Sequence, residues 1–446
     1  MDRIYLDNSA TTAVAPEVIE KIVQANSKYY GNPSSVHTLG QEARHVVDEA
    51  RREIANFFGA QPEEIIFTSG GSESDNLALK GIVESEKLKV KSGKPHVITS
   101  ATEHHAVLHT IEDLEKEGLI EATYIKPDKD GLISPESVEK EIRENTVLVS
   151  LIYVNNETGI VTPIAEIGEM IEKVNNGVIS NGSEKSHVRK DPHALLDPPT
   201  GGLAMAQDDT RANRVIFHTD AVQAVEFMPV KVDELKVDLL TFTAHKIHGP
   251  KGIGGLYVRK GIKLNPQIIG GSQEFRLRAG TENTAGIVAL AKALELVKSE
   301  KLTPLRQGYA GQEVKSIESL RDKLIVGIQK NIPDTILNGA EAKRASHIAN
   351  ISFMNAEGEA IILNLDFLGI AVSSGSACTS RTLEPSHVLT SMGYPPEKCH
   401  GAIRFSLSRY TTEAEIDKVI EVLPGIIEKL RAMSPFNSLN ESTNQH

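Results

Sequence analysis

Short apolar runs recur along the first 260 residues, and stretches with helical spacing separate most of them. The runs cover 64–68, 96–100, 121–125, 146–154, 214–219, 237–243 and 252–258. All are short for helices, and most are rich in Val, Ile, Leu, Phe and Thr, which marks strands buried on both faces. Helical patterns fall at 39–58, from Ser72, and at 103–118, 134–144 and 163–174. Buried strands alternating with helices predict a mostly parallel seven-stranded sheet covered by helices, an α/β fold.

In open sheets of this kind, ligands bind outside the carboxyl ends of the strands. Two of those ends lie in the stretch from Phe217 to Gly252. Asp220 follows one strand, and Thr243, Ala244, His245 and Lys246 follow the next. A carboxylate and a lysine held toward one ligand suit pyridoxal phosphate. The lysine forms a Schiff base with the aldehyde, and the carboxylate keeps the pyridine nitrogen protonated so that the ring accepts electrons. Gln223 lies three residues past Asp220, placed for the ring hydroxyl. Strand-end lysines are ordinarily solvated charges and strand-end aspartates often cap helices. Here the neighbouring groups add up to a site.

The turn TSGGSES at 68–74 joins a strand to a helix. Amides at a helix start favour a phosphate, so Gly71 and Ser72 are candidates with Thr243 and His245. His104 follows another strand end. The neighbouring His105 and His109 raise a metal reading, but no Cys or carboxylate stands at matching spacing. An imidazole stacked on a flat ring, and able to move protons, fits better. Cys378 sits in AVSSGSACTSRTLEPS, among small polar residues that make a poor core and a good mobile loop, as a nucleophile that must hand on its cargo requires. Cys399, beside an apolar strand, reads as structural. Arg404 is placed to clamp a carboxylate in a guanidinium fork.

The chain of 446 residues suits one large and one small domain. The pattern changes near residue 260. Helices are expected at about 282–300, 309–331, 357–367, 385–392 and 412–432, with short strands at 334–338, 347–354 and 402–409. The expected division is 15–260 for the large domain, 1–14 with 261–432 for the small one, and a polar tail at 433–446. Residues 176–213, rich in Gly, Pro, Asn, Asp and Ser, interrupt the large domain as a mobile surface insertion, with a partner-docking or oligomer contact as the alternative. A net charge of −12 with intermixed signs argues against binding nucleic acid or acidic membranes. Two cysteines give no disulfide framework, and the charged start MDRIYLDNSATT is unlike a signal peptide, so a cytoplasmic protein is expected.

YLDNSATT, GNPSSVH, FTSGGSESDNLALKG, TEHHAVL, VNNETG, FHTDAVQ, FTAHKIHGPKGIGGLYVR, LRAGTEN, SSGSACTS and IRFSLSRYTTEAEID stand in one order over nearly all of 1–432. In this the chain resembles the cysteine desulfurases of the iron–sulfur and nitrogen-fixation subgroup, pyridoxal phosphate enzymes of fold type I in the class V aminotransferase superfamily. The resemblance implies a homodimer that converts L-cysteine to L-alanine and leaves a persulfide on Cys378. The sulfur then passes to an acceptor such as an iron–sulfur scaffold protein or a thiolation system. It implies Lys246 as the Schiff-base lysine, Asp220 and Gln223 on the ring, and Gly71, Ser72, Thr243 and His245 on the phosphate. Thr281 would reach the phosphate of the neighbouring subunit, and His104 would stack on the ring. Asn156 would touch cofactor and substrate, with Arg404 on the substrate carboxylate. No resident metal is implied, although Cys378 is open to acting as a transient iron–sulfur ligand. A selenocysteine lyase or another class V enzyme is the alternative. Ser72 stands where many relatives have Thr, which keeps the hydroxyl.

Overall fold

The computed structural model describes residues 3–87, 90, 93–177, 214–301, 316–375 and 385–433. The strands in chain order are β1 (Ile4–Tyr5), β2 (Ile65–Thr68), β3 (His96–Ser100), β4 (Glu121–Ile125), β5 (Thr146–Ile152) and β6 (Ile216–Asp220). They continue with β7 (Leu239–Thr243), β8 (Gly254–Val258), β9 (Thr335–Leu337), β10 (Ile348–Phe353), β11 (Ile370–Ala371) and β12 (Ala402–Ser406). The helices are α1 (Pro16–Lys28), α2 (Thr38–Phe58), α3 (Gly71–Glu86), α4 (His105–Lys116), α5 (Pro135–Glu139), α6 (Ile164–Asn175) and α7 (Val232–Leu235). After them come α8 (Thr284–Lys301), α9 (Ile317–Asn331), α10 (Gly358–Phe367), α11 (His387–Ser391), α12 (Pro396–His400) and α13 (Glu413–Met433).

All seven expected strands join one sheet, in the order β2-β8-β7-β6-β5-β3-β4. Only β8 runs against the others. Alternate residues enter opposite layers, as strand geometry requires. Ile65, Phe67, Phe217, Leu240 and Phe242 join a core shared with α1, α2, α6 and α8, whereas Ile66, Ile216 and Leu239 join one shared with α3 and α4. The near-continuous hydrophobicity of the strands is thereby accounted for. Since β2, β3, β5, β6 and β7 run the same way, the turns after Thr68, Ser100, Ile152, Asp220 and Thr243 all leave from one rim.

A second core forms around Leu324, Ile351, Phe353, Leu365, Phe405 and Leu423, on β10, β12, α9, α10 and α13. Its sheet has the order β12-β10-β9. The amino-terminal segment belongs to this layer too. Leu6 lies in its core, and β1 pairs with β11.

Two local expectations are corrected. The helix read over 134–144 stops at Glu139. Beyond it, Glu141 and Ile142 make bonds only three residues back, to Val138 and Glu139, and the chain turns before β5. Residues 284–301, grouped by sequence with the small domain, pack on α1 and α2, with Ile287, Leu290, Leu294 and Val297 in the large core. The first part of the helix read at 309–331 and most of the insertion 176–213 lie outside the described residues. Among the described residues, no helix is long and apolar enough to cross a membrane.

Candidate active site

The shared rim opens into a cavity of about 380 Å³. Gly71, Ser72, His104, Asn156, Asp220, Gln223, Thr243, His245, Lys246 and Arg404 all line it. Those residues span most of the chain, and the common direction of the strands brings them together. Thr281 is exposed and takes no part in the cavity wall. Cys378 lies outside the described residues, but Gly375, three positions earlier in sequence, lines the wall.

The amino-terminal segment crosses this cavity and fixes its lysine. Lys246 Nζ donates to the Ser9 carbonyl and, at 2.8 Å, to that of Ala10. Gln223 Nε2 donates to the same Ser9 carbonyl at 2.9 Å. Ser9 N–H in turn donates to Ser406 Oγ at 2.9 Å, and Thr12 N–H to the His245 carbonyl at 2.9 Å. This segment, a strap that turns at 7–10, thus joins the second core to the lysine turn. Arg404, on β12, reaches the cavity from the second core. Its Nη1 donates to the Asn156 carbonyl at 2.9 Å and its Nη2 to Asp7 Oδ1 at 2.8 Å.

The start of α3 has the character of an anion site. No side chain caps it, so the first-turn amides stay available, and its dipole favours negative charge. Thr243 and His245 stand beside it in the same wall. Gly254 of β8 passes so close that a Cβ there would meet Gly70 Cα at 2.8 Å, so only glycine lets the strand support this turn.

Burial sets the charges. Asp220 is 3% exposed and takes the Val222 N–H at 2.9 Å. Burial pushes its carboxyl up to about 6, against the pull of that N–H and of Lys246. His104 caps α4 through Nδ1, which accepts from Ala106 N–H at 3.1 Å, so the ring proton sits on Nε2. Burial and the Lys246 charge lower this imidazole to about 4, and His245 likewise to about 4. At neutral pH both are uncharged.

Several polar residues at the site escape the sequence reading. Asp75, Glu157 and His387 also line the cavity, as does His105, which sequence raised only for a metal, and Glu103 lies buried beside His104. Glu103 accepts from Ser100 Oγ at 2.5 Å and Ile152 N–H at 3.0 Å, and burial pushes it up to about 8. Asp75 sits one turn after Gly71, on the face of α3 that buries Ala78, Leu79 and Ile82. An acid at a core-facing helix position was the available signal. The His105 ring lies 4.5 Å from that of His109 and 4.6 Å from that of His387, centre to centre. Among the described residues, no group of three or more His, Cys, Asp or Glu is placed to hold a metal ion. Cys399 is buried against Val388, Leu389 and Met392, in keeping with a structural thiol.

The model of the family described as aminotransferase class-V matches residues 4–185 and 204–419. The chain belongs to the class-V aminotransferase family. A protein of Methanosarcina thermophila named cysteine desulfurase IscS is 43% identical over 433 residues, which is 97% of this chain and 94% of that one. A Trichormus azollae protein named cysteine desulfurase is 44% identical over 440 residues, 98% of this chain and 96% of that one. A solved structure titled NifS-like protein has a TM-score of 0.79 at 32% identity, covering 96% of this chain and 100% of that one. Another, titled SspA in complex with cysteine, has a TM-score of 0.71 at 32% identity, covering 92% of this chain and 100% of that one. Likeness to cysteine desulfurases therefore runs the length of this class-V family member, well beyond its motifs. The family works with pyridoxal phosphate, and the residues present suit that group. They offer an uncapped helix start for a phosphate, a buried carboxylate for a ring nitrogen and a lysine in the same wall.

Proposed function

We propose that this chain is a pyridoxal phosphate-dependent L-cysteine desulfurase, forming L-alanine and a persulfide on Cys378. The observation that carries this reading is Gly375 in the wall of the cavity that also holds Lys246, Asp220 and Arg404. Three residues of chain span at most about 11 Å, and on this reading that short tether brings the Cys378 thiol to the substrate. An aminotransferase needs no such thiol.

When bound, the cofactor supplies an electron sink for carbanion character at the substrate. Lys246 would hold it covalently, Asp220 its ring nitrogen and Gln223 its ring oxygen. Gly71, Ser72, Thr243 and His245 would hold its phosphate, and His104 would face its ring. Thr281, exposed on the surface, fits a role across the interface of a homodimer. Arg404 and Asn156 would orient the substrate carboxylate. Neutral His104, with its proton on Nε2, is suited to exchanging protons near the substrate. The Cys378 thiolate attacks the substrate sulfur. A sulfur–sulfur bond forms, the carbon–sulfur bond breaks, and the released electron pair takes up a proton on carbon to give alanine. The persulfide then passes its outer sulfur to an acceptor, for which an iron–sulfur scaffold protein is our reading.

We place the protein in the cytoplasm and divide it into a large domain around the seven-stranded sheet and a small one around the second core. Incubating the purified holoenzyme with L-cysteine and with L-selenocysteine, and measuring alanine from each, tests the assignment. Equal or greater alanine from cysteine is expected. Turnover of selenocysteine alone would make the protein a selenocysteine lyase.

A further inference from the structure

Asp75 and Asp220 lie buried in one part of the cavity wall, with Glu103 buried near them, and of these the proposed chemistry uses only Asp220. Asp75 is 1% exposed and Glu103 is fully buried. Asp75 projects from α3 onto the sheet face that carries His218 and Asp220 on β6 and Thr241 on β7. Thr241 stands opposite Asp220 in register. The Thr241 hydroxyl lies 3.0 Å from His218 Nε2 and on the side of the sheet that Asp75 faces, where it favours the charged form of that acid. His218 Nδ1 pairs with Ser150 Oγ at 2.8 Å. A chain of hydrogen bonds therefore runs from Thr241 through His218 to Ser150, out of solvent, with the buried Asp75 beside its Thr241 end.

The two acids differ in what serves a negative charge. Asp220 has a backbone N–H and the field of Lys246. Asp75 Oδ1 is buried and has no hydrogen-bond partner. His218 Nε2 lies 3.7 Å from that oxygen, too far for a hydrogen bond. Full burial holds His218 down to about 3, so it is no cation at neutral pH. Two carboxylates that feel each other's charge in one buried wall do not readily both ionise.

We propose that Asp75 is held as the neutral acid, so that Asp220 alone carries negative charge toward the ring nitrogen, and that Asp75 is thereby a positioning residue for it. The proposal deepens the cofactor reading and rests on it for its function, though not for its test. A neutral Asp75 can donate into the relay through Thr241 or present its O–H toward the cavity. An ionised one would repel Asp220 and draw its proton back. Burial and the Asp220 charge both favour the protonated form of Asp75, and burial acts likewise on Glu103.

Infrared spectroscopy of the protein grown with carboxyl-13C aspartate reads the charge state directly, with or without cofactor. At pH 7 a protonated-carboxyl C=O band that moves with the aspartate label is expected, and Asp75→Asn should remove it while Glu103→Gln leaves it. Absence of any aspartate-derived band of this kind overturns the proposal, as does its survival in Asp75→Asn. The holoenzyme gives a second readout. If Asp75 is neutral, Asp75→Asn leaves the pH midpoint of the cofactor's visible absorbance within about 0.3 units of the parent. Loss of a real charge would lower that midpoint by about one unit or more, and that result too overturns it. Failure to bind the cofactor would count against the function and leave the infrared result standing.

Discussion

Arg404 and Asp7 are joined by a 2.8 Å hydrogen bond between residues 397 positions apart, and the arginine side chain is 3% exposed. The guanidinium also holds the Asn156 carbonyl at 2.9 Å, so its orientation is set before substrate arrives. A preset fork lowers the ordering cost of binding a carboxylate. Arg404→Lys keeps a charge but loses the fork. We expect KM for cysteine to rise about tenfold or more, corresponding to roughly 1.4 kcal/mol, with a smaller change in kcat. Steady-state kinetics checks this, and an unchanged KM would remove Arg404 from substrate binding.

Lys246 has two jobs in this account, as covalent anchor for the cofactor and as the donor to the strap carbonyls of Ser9 and Ala10. Lys246→Ala should abolish the visible absorbance of a lysine-bound cofactor and reduce turnover by at least about a hundredfold. The fold should persist, because Thr12 remains tied to His245 and Ser9 to Ser406. A variant with the parent visible spectrum would contradict the assignment.

Beside β2, Arg51 holds Glu274 through bonds of 2.8 and 2.6 Å and donates to the Ile65 carbonyl at 2.5 Å. Glu274 also accepts the Phe67 N–H at 2.9 Å. Arg51→Ala strands a buried carboxylate and should cost about 3–5 kcal/mol of stability. The double variant Arg51→Met with Glu274→Leu should lose less than the single one, since no charge is left behind. Denaturant titration of both decides, and an equal or greater loss in the double variant would refute the argument.

His218 is fully buried, and burial lowers it to about 3. A base depressed in the folded state adds stability that is present above its unfolded pKa, near 6.5, and is lost as pH falls toward the folded value. Raised acids work the other way. Glu103, pushed up to about 8, costs stability as pH rises from about 4.5 to 8. Their opposition flattens the whole-protein profile, so the difference between variants is the useful quantity. His218→Gln should change its stability gap to the parent by about 1.4 kcal/mol per pH unit between pH 6 and 4. A gap independent of pH over that range would mean that His218 is charged in the fold.

The strands were legible because burial on both faces writes itself as short apolar runs, and Asp220 and Lys246 were legible because each follows such a run. What sequence concealed depends on pairings across the chain. Nothing near Arg404 points to Asp7, and a two-residue strand such as β1 has no pattern of its own until β11 accepts it. Helix α8 misleads because apolar spacing shows that it is buried but not which core receives it. Asp75 was hidden inside a regular amphipathic helix. Its partners Thr241 and His218 are two more polar residues within apolar strands, and only the fold brings them onto one face.

The central claim is that Cys378 takes sulfur from free cysteine. The most direct measurement is alanine and persulfide sulfur released from L-cysteine by purified holoenzyme, beside Cys378→Ser carrying its full complement of cofactor. The parent should yield alanine and transferable sulfur in equal amounts. The variant should keep the parent's visible spectrum and lose alanine formation by on the order of a thousandfold or more. Alanine formed by Cys378→Ser at the parent rate would contradict the account.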